Sequence, residues 1–210
     1  MIKLHLGCGG SLYGVVPGID GPYIAGSTID EWINVDAEPV INPDHWRSSC
    51  EMLHFEGGFS YPRVIQHDFR KLNIFPDDFA SVAYSHHSLE HVRIDEVVPT
   101  LQEWHRVLKV GGRLIVNVPD LLWTAQKIVE KKGDLLWSEG GERTGDWEGG
   151  YTKLIYCVFG DQSTDAYQLH KVGFTEPYLR KQTEAAGFRN ISIVSIFDMG
   201  MGCLEMQAWK

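Results

Sequence analysis

The residues of this sequence best suited to chemistry fall in a few short segments. They are Gly7-Cys8-Gly9, Asp36, Asp68 with Phe69, and Ser85-His86-His87 with Glu90 and His91 close behind. Glycines let a backbone come close to a ligand. A carboxylate such as Asp36 can accept both hydroxyls of a ribose, and a second one, Asp68, can accept from an adenine amino group. Together they would recognise an adenosine without a dedicated phosphate site. Histidine titrates near neutral pH, so His87, His91 and His170 are the candidate general bases. Each has an alternative role: packing and hydrogen bonding for His87 and His91, and a backbone hydrogen bond in a loop for His170. His87 and His91 also stand at i, i+4, a spacing that can hold zinc on a helix. No third or fourth ligand stands at a persuasive spacing, so no metal is expected. Glu90 could act as a base, although a carboxylate at a helix start more often serves the helix dipole.

These groups need strands to present them. Ile2, Leu4 and Leu6 alternate with Lys3 and His5 and run into glycines, which predicts a short strand entering a glycine-rich turn. It starts at the first residues, so little is expected to precede it. Residues 11–31 are rich in Gly and Pro and read as an ordered loop. Trp32 to Val35 read as a buried strand ending at Asp36, and Arg63 to Gln66 as a third strand leading to Asp68. Ser81 to Tyr84 read as a fourth strand, with Ser85 to His91 beyond its end. From Asp95, Val98, Leu101, Trp104 or His105, and Leu108 recur at helical spacing, and Gly111-Gly112 are expected to stop that helix. Arg113 to Val118 follow as an apolar strand. Residues 120–131 can form a helix, and 133–150 read as an excursion. Thr175-Glu176-Pro177 starts a helix that Gly187 ends. Ile191 to Phe197 and Cys203 to Trp209 make a closing hairpin. The expected fold is α/β, a doubly wound, Rossmann-like, mostly parallel seven-stranded sheet with an antiparallel C-terminal hairpin strand. In such sheets ligands bind outside the carboxyl ends of the strands.

Composition narrows the function. The 210 residues suit a single domain, with insertions near 37–62 and 120–170. Hydrophobic residues are 43% and charged residues 22%, enough apolar material for a core. The net charge of −9 argues against a nucleic-acid or anionic-membrane partner. Cys8, Cys50, Cys157 and Cys203 form no CxxC pair and read as free thiols in a reducing compartment. No secretory leader or membrane-length apolar run is seen, so a cytoplasmic protein is expected. A nicotinamide dinucleotide fingerprint fails because Leu12 stands where the third glycine belongs, and no Gly-Lys-Ser/Thr exists for a P-loop.

Taken in order, LHLGCGG, WINVD, HDFRKLNIFPDDFASVAYSHHSLEHV and EWHRVLKVGGRLIVNVPD resemble the successive motifs of class I S-adenosylmethionine-dependent methyltransferases. The resemblance is close over residues 1–120 and weaker through HKVGFTEPYLRKQTEAAGF to the final hairpin. His5 departs from the family, which often has an acidic residue there, and the Gly/Pro-rich stretch replaces the usual helix after the glycine loop. The resemblance implies S-adenosylmethionine as cofactor. It implies that Gly7, Cys8 and Gly9 approach the methionyl part, Asp36 with Ala37 holds the ribose, and Asp68 with Phe69 frames the adenine. Ser85 and His86 would line the entry to the sulfonium methyl.

The expected activity is methyl transfer to a small molecule or a sugar-containing metabolite. Trp46, Trp123, Trp137 and Trp147 could stack on such an acceptor or simply anchor loops. A non-catalytic binder of adenosine-type ligands is the alternative. The oligomeric state is left open.

Overall fold

A computed structural model describes residues 2–7, 32–36, 63–130, 157–160, 168–198 and 201–210. Cys8, Gly9, Ala37, Cys50, Trp46, Trp137 and Trp147 lie outside the described residues, as do the stretches 11–31, 37–62 and 133–150 in full. The strands are β1 (Lys3–Leu6), β2 (Trp32–Asp36), β3 (Arg63–Gln66), β4 (Ala80–His86), β5 (Leu108–Pro119), β6 (Arg189–Asp198) and β7 (Met201–Trp209). The helices are α1 (Val97–Val107), α2 (Leu121–Glu130) and α3 (Glu176–Ala185).

The strands form one sheet in the order β3-β2-β1-β4-β5-β7-β6. β1 to β5 pair in parallel, and β7 runs antiparallel to both β5 and β6. This is the expected Rossmann-like sheet with its antiparallel hairpin. Chain order reverses between β1 and β4, which are hydrogen-bonded neighbours. That reversal leaves a crevice at the strands' carboxyl ends.

Alternation decides which side chains meet. Leu4, Leu6, Ile33, Val35, Ala83, Leu114 and Val116 join one large core, whereas Trp32, Val82, Tyr84 and Ile115 form a smaller cluster. α1 lays Val97, Leu101, Trp104 and Val107 onto the large core. Trp104 is fully buried, and its indole N–H donates to the Phe69 carbonyl at 2.8 Å. The core thereby fixes a residue of the crevice.

Several boundaries differ from the sequence reading. β4 continues through Ser85 and His86, because both pair with Val116 and Asn117 of β5. α1 ends before the glycines, at Leu108, whose backbone is already extended. Gly111 and Gly112 instead lie within β5, where the register slips between Ala80 and Val82. Asp120 starts α2 by accepting the backbone N–H of Leu122 at 2.9 Å and of Trp123 at 3.2 Å. Trp123 packs its ring against Phe197, 6.2 Å away, and so anchors α2 to the hairpin.

Candidate active site

The crevice at the β1/β4 reversal is lined from three directions. The ends of β1, β2 and β3 supply Gly7, Asp36, and Asp68 through Arg70. The turn after β4 supplies His87, Ser88 and His91, and a segment far along the chain adds Gln168 and Lys171.

Gly7 has no room for a side chain. Its φ is +69°, and a Cβ there would stand 2.5 Å from the Ser88 Cβ. The Ser88 hydroxyl lies 2.9 Å from the Gly7 carbonyl and 3.1 Å from that of Leu6, and it donates its single proton to this pair. The glycine turn and the turn after β4 are therefore one unit. Asp36 is 8% exposed at the end of β2, and its carbonyl accepts from the His67 N–H at 2.7 Å.

Asp68 is gripped by Arg70. The guanidinium donates to both carboxylate oxygens, at 2.9 Å from Nε to Oδ1 and 2.9 Å from Nη2 to Oδ2, and the Arg70 backbone N–H adds another bond to Oδ1. Burial would raise the Asp68 pKa, but Arg70 outweighs it and lowers it. The third guanidinium nitrogen, Nη1, reaches Glu96 at 3.1 Å. Phe69 presents its ring beside this pair, 6.3 Å from that of Trp104.

The turn after β4 is more densely charged. His87 has φ +51°, a left-handed conformation that costs a non-glycine residue about 1 kcal/mol. That kink turns the His86 and His87 rings apart, to 74° at 4.5 Å between centroids. His86 Nε2 lies 2.7 Å from the Asp198 carboxylate at the end of β6. Burial first, then the neighbouring His87 charge, lowers the His86 pKa. The His87 ring stands between two carboxylates, Glu90 at 3.2 Å from Nδ1 and Asp198 at 3.6 Å from Nε2. Burial opposes a charge on His87, but Asp198, Cys203 and Glu90 together raise its pKa far above the ordinary imidazole value. An imidazolium has no lone pair with which to accept a proton.

Glu90 is 1% exposed. Burial opposes its charge, yet His87 above all, then His91 and His170, hold its carboxyl low. Its carbonyl accepts the backbone N–H of Lys171 at 2.8 Å and of Val172 at 3.2 Å, which pins the distant segment to this turn. His170 is fixed from behind. Its N–H donates to the Phe159 carbonyl at 3.0 Å, and its Nδ1 lies 3.0 Å from the Cys157 carbonyl. Gly160 makes this possible, because a Cβ there would be 2.7 Å from the His170 nitrogen. The His91 and His170 rings meet edge to face, with centroids 4.9 Å apart. Burial, the largest influence, lowers the His170 pKa despite the opposing Glu90 charge, so its ring is neutral near pH 7.

Residues 29–116 match the model of a methyltransferase domain family. Over those residues the chain is similar to that family, and the match covers less than half of its length. The chain also shares its fold with solved structures. A SAM-dependent methyltransferase from Thermotoga maritima is 14% identical, with 100% of this chain and 81% of that one covered and a TM-score of 0.56. One from Archaeoglobus fulgidus is 14% identical, covering 99% and 85%, at 0.57. The 1,6-didemethyltoxoflavin-N1-methyltransferase of Burkholderia thailandensis, solved with 1,6-didemethyltoxoflavin and S-adenosylhomocysteine, is 17% identical, covering 100% and 70%, at 0.56. No curated protein matches the chain in sequence. S-adenosylmethionine is the cofactor named for the first two of these structures, and the third holds S-adenosylhomocysteine.

Of the residues expected to hold that cofactor, the structure brings Gly7, Asp36, Asp68 and Phe69 together in the crevice. The donor set suits it, with a buried carboxylate for ribose hydroxyls and a flat ring beside the position for adenine. Ser85 is wholly buried and His86 faces Asp198, so neither lines the crevice; His87 and Ser88 do. The reason is the length of β4, which holds both Ser85 and His86 in the sheet. His91 and His170, expected separately as bases, are neighbours. Sequence reasoning missed Arg70, Ser88 and Lys171. The Asp68–Arg70 spacing was a local signal for the first; none existed for Lys171.

Among the described residues, no helix is long and apolar enough to cross a membrane.

Proposed function

We propose that this chain is an S-adenosylmethionine-dependent methyltransferase that acts on a small-molecule acceptor, a sugar-containing metabolite being one class, with a neutral histidine as general base. When bound, S-adenosylmethionine would supply a methyl carbon activated by the sulfonium charge. The chain's own task is alignment and proton removal. Gly7, followed in sequence by Cys8 and Gly9, would bring the backbone close to the methionyl part. Asp36 accepts the ribose hydroxyls with Ala37 beside it, and Phe69 with the Asp68–Arg70 pair frames the adenine. His87 serves as a fixed cation in this reading. The proton goes to the lone-pair nitrogen of His170, or to His91 beside it.

The observation that carries this reading is the meeting, in one crevice at the strand-order reversal, of Asp36 and Asp68 with the His87–His91 turn. The relative that methylates 1,6-didemethyltoxoflavin supports a small acceptor. The net charge of −9 supports an acceptor other than nucleic acid, and a cytoplasmic location fits a sequence with four cysteines and no CxxC pair. The whole chain would be one domain, with acceptor recognition in the 37–62 and 120–170 insertions.

The test is calorimetric titration with S-adenosylhomocysteine against NAD, followed by a methyl-transfer screen of small acceptors. Binding of S-adenosylhomocysteine alone, with turnover on a hydroxylated or heteroaromatic acceptor, is the expected result. Binding with no turnover on any acceptor would point to a non-catalytic binder.

A further inference from the structure

We propose that Glu90, His91 and His170 form a binding site for one divalent metal ion of the zinc type. A carboxylate oxygen of Glu90 and one ring nitrogen from each histidine lie within 4.8 Å of one another. Small side-chain adjustments would bring all three to about 2.0–2.2 Å from a common ion.

Two independent observations point to a ligand there. The first is the Glu90 carboxylate, 1% exposed, with Oε1 against His87 while Oε2 has no hydrogen-bond partner among the described residues. A buried carboxylate oxygen left this way is costly unless something binds it. The second is the state of the histidines. His91 Nδ1 lies 3.1 Å from the Leu169 carbonyl, and His170 Nδ1 lies 3.0 Å from the Cys157 carbonyl. A carbonyl only accepts, so each Nδ1 carries a proton, which leaves Nε2 of each ring as the nitrogen that can ligate a metal. Backbone carbonyls that fix the tautomer in this way are the usual outer partners of metal-binding histidines.

The sequence pairs His91 with His87, but the fold pairs it with His170. The other nearby group, His86, His87 and Asp198, is a poorer site because its carboxylate already bonds His86 at 2.7 Å. Two imidazoles and one carboxylate suit a borderline ion and leave a position for water or an acceptor oxygen. His91 also lines the crevice, so the ion would sit at its edge. The inference rests on the proposed function only for the acceptor's location there. With the ion bound, the lone pairs of His91 and His170 are engaged, and acidification of an acceptor hydroxyl falls to the metal.

The test is titration of the metal-depleted full chain with Zn²⁺ by calorimetry and with Co²⁺ by visible absorption. One Zn²⁺ per chain is expected, with a Co²⁺ spectrum of low coordination number. His170→Asn and Glu90→Gln should each weaken binding at least about tenfold. His105→Gln, whose ring packs on Phe188, should change nothing. Thermal melts identify any variant that fails to fold; should Glu90→Gln be one, His91→Asn and His170→Asn decide. Absence of Zn²⁺ binding to the wild type, or binding that survives both histidine variants, would overturn the site. S-adenosylhomocysteine titrated in parallel separates the two proposals: retained binding without Zn²⁺ binding rejects the metal site alone.

Discussion

The two acidic regions of the crevice are built on different physics. At the end of β3, Asp68 is half-buried and its partner Arg70 is two residues away, with side chains 28% and 36% exposed. At the end of β4, Glu90 is 1% exposed, and His170 and the Asp198 that shares His87 with it come from distant parts of the chain. Water screens the first pair, so its geometry matters more than its energy. The second group has lost its water, and each charge there depends on the others. The contrast teaches that Asp68 is held by a partner two residues away, whereas the Glu90 cluster is assembled by the tertiary fold.

That contrast can be broken by substitution, beginning with the largest effect. Glu90→Gln should destabilise the protein by about 3 kcal/mol or more, because the His87 charge loses a buried partner. Chemical unfolding measures it, and a loss below about 1 kcal/mol would mean the cluster is softer than described. Asp36→Ala should weaken S-adenosylhomocysteine binding roughly 10- to 100-fold in calorimetry with little loss of fold, in line with about 1.5–3 kcal/mol for hydrogen bonds to a charged group. Unchanged affinity would remove Asp36 from the ribose position.

His87 sharpens the comparison through pH. Its folded pKa is raised, so its contribution is complete below the unfolded value near 6.5 and is lost as pH rises toward the folded one. Glu90 is shifted the other way; its contribution is present above its unfolded value near 4.5 and fades as pH falls toward about 2. With EDTA present, the stability advantage of wild type over His87→Gln should be larger at pH 6 than at pH 9. An advantage that grew with pH would contradict a charged His87. The smallest effect is expected for Arg70→Ala, under about 1 kcal/mol in stability because the pair is screened, with only a few-fold weaker cofactor binding.

Legibility followed the same division. The Gly7 turn, Asp36 and Asp68 could be placed because each stands next to a strand whose apolar alternation marks it. The length of β4 was misread because His86 is polar, yet its backbone still pairs with Asn117 of β5. α1 was read as running to the glycines, but the chain turned extended at Leu108, and the glycines serve a register slip that only the neighbouring strand reveals.

The sequence by itself determined the strand and helix alternation, the sheet class and the carboxylates at the strand ends, because periodicity and turn chemistry act over a few residues. Tertiary structure alone decided which histidine meets which. His91 faces His170 rather than His87, since backbone bonds from Lys171 and Val172 to Glu90 bring a remote segment to the turn after β4. No local spacing encodes that meeting, because closing so long a loop depends on the sheet that brings its ends together.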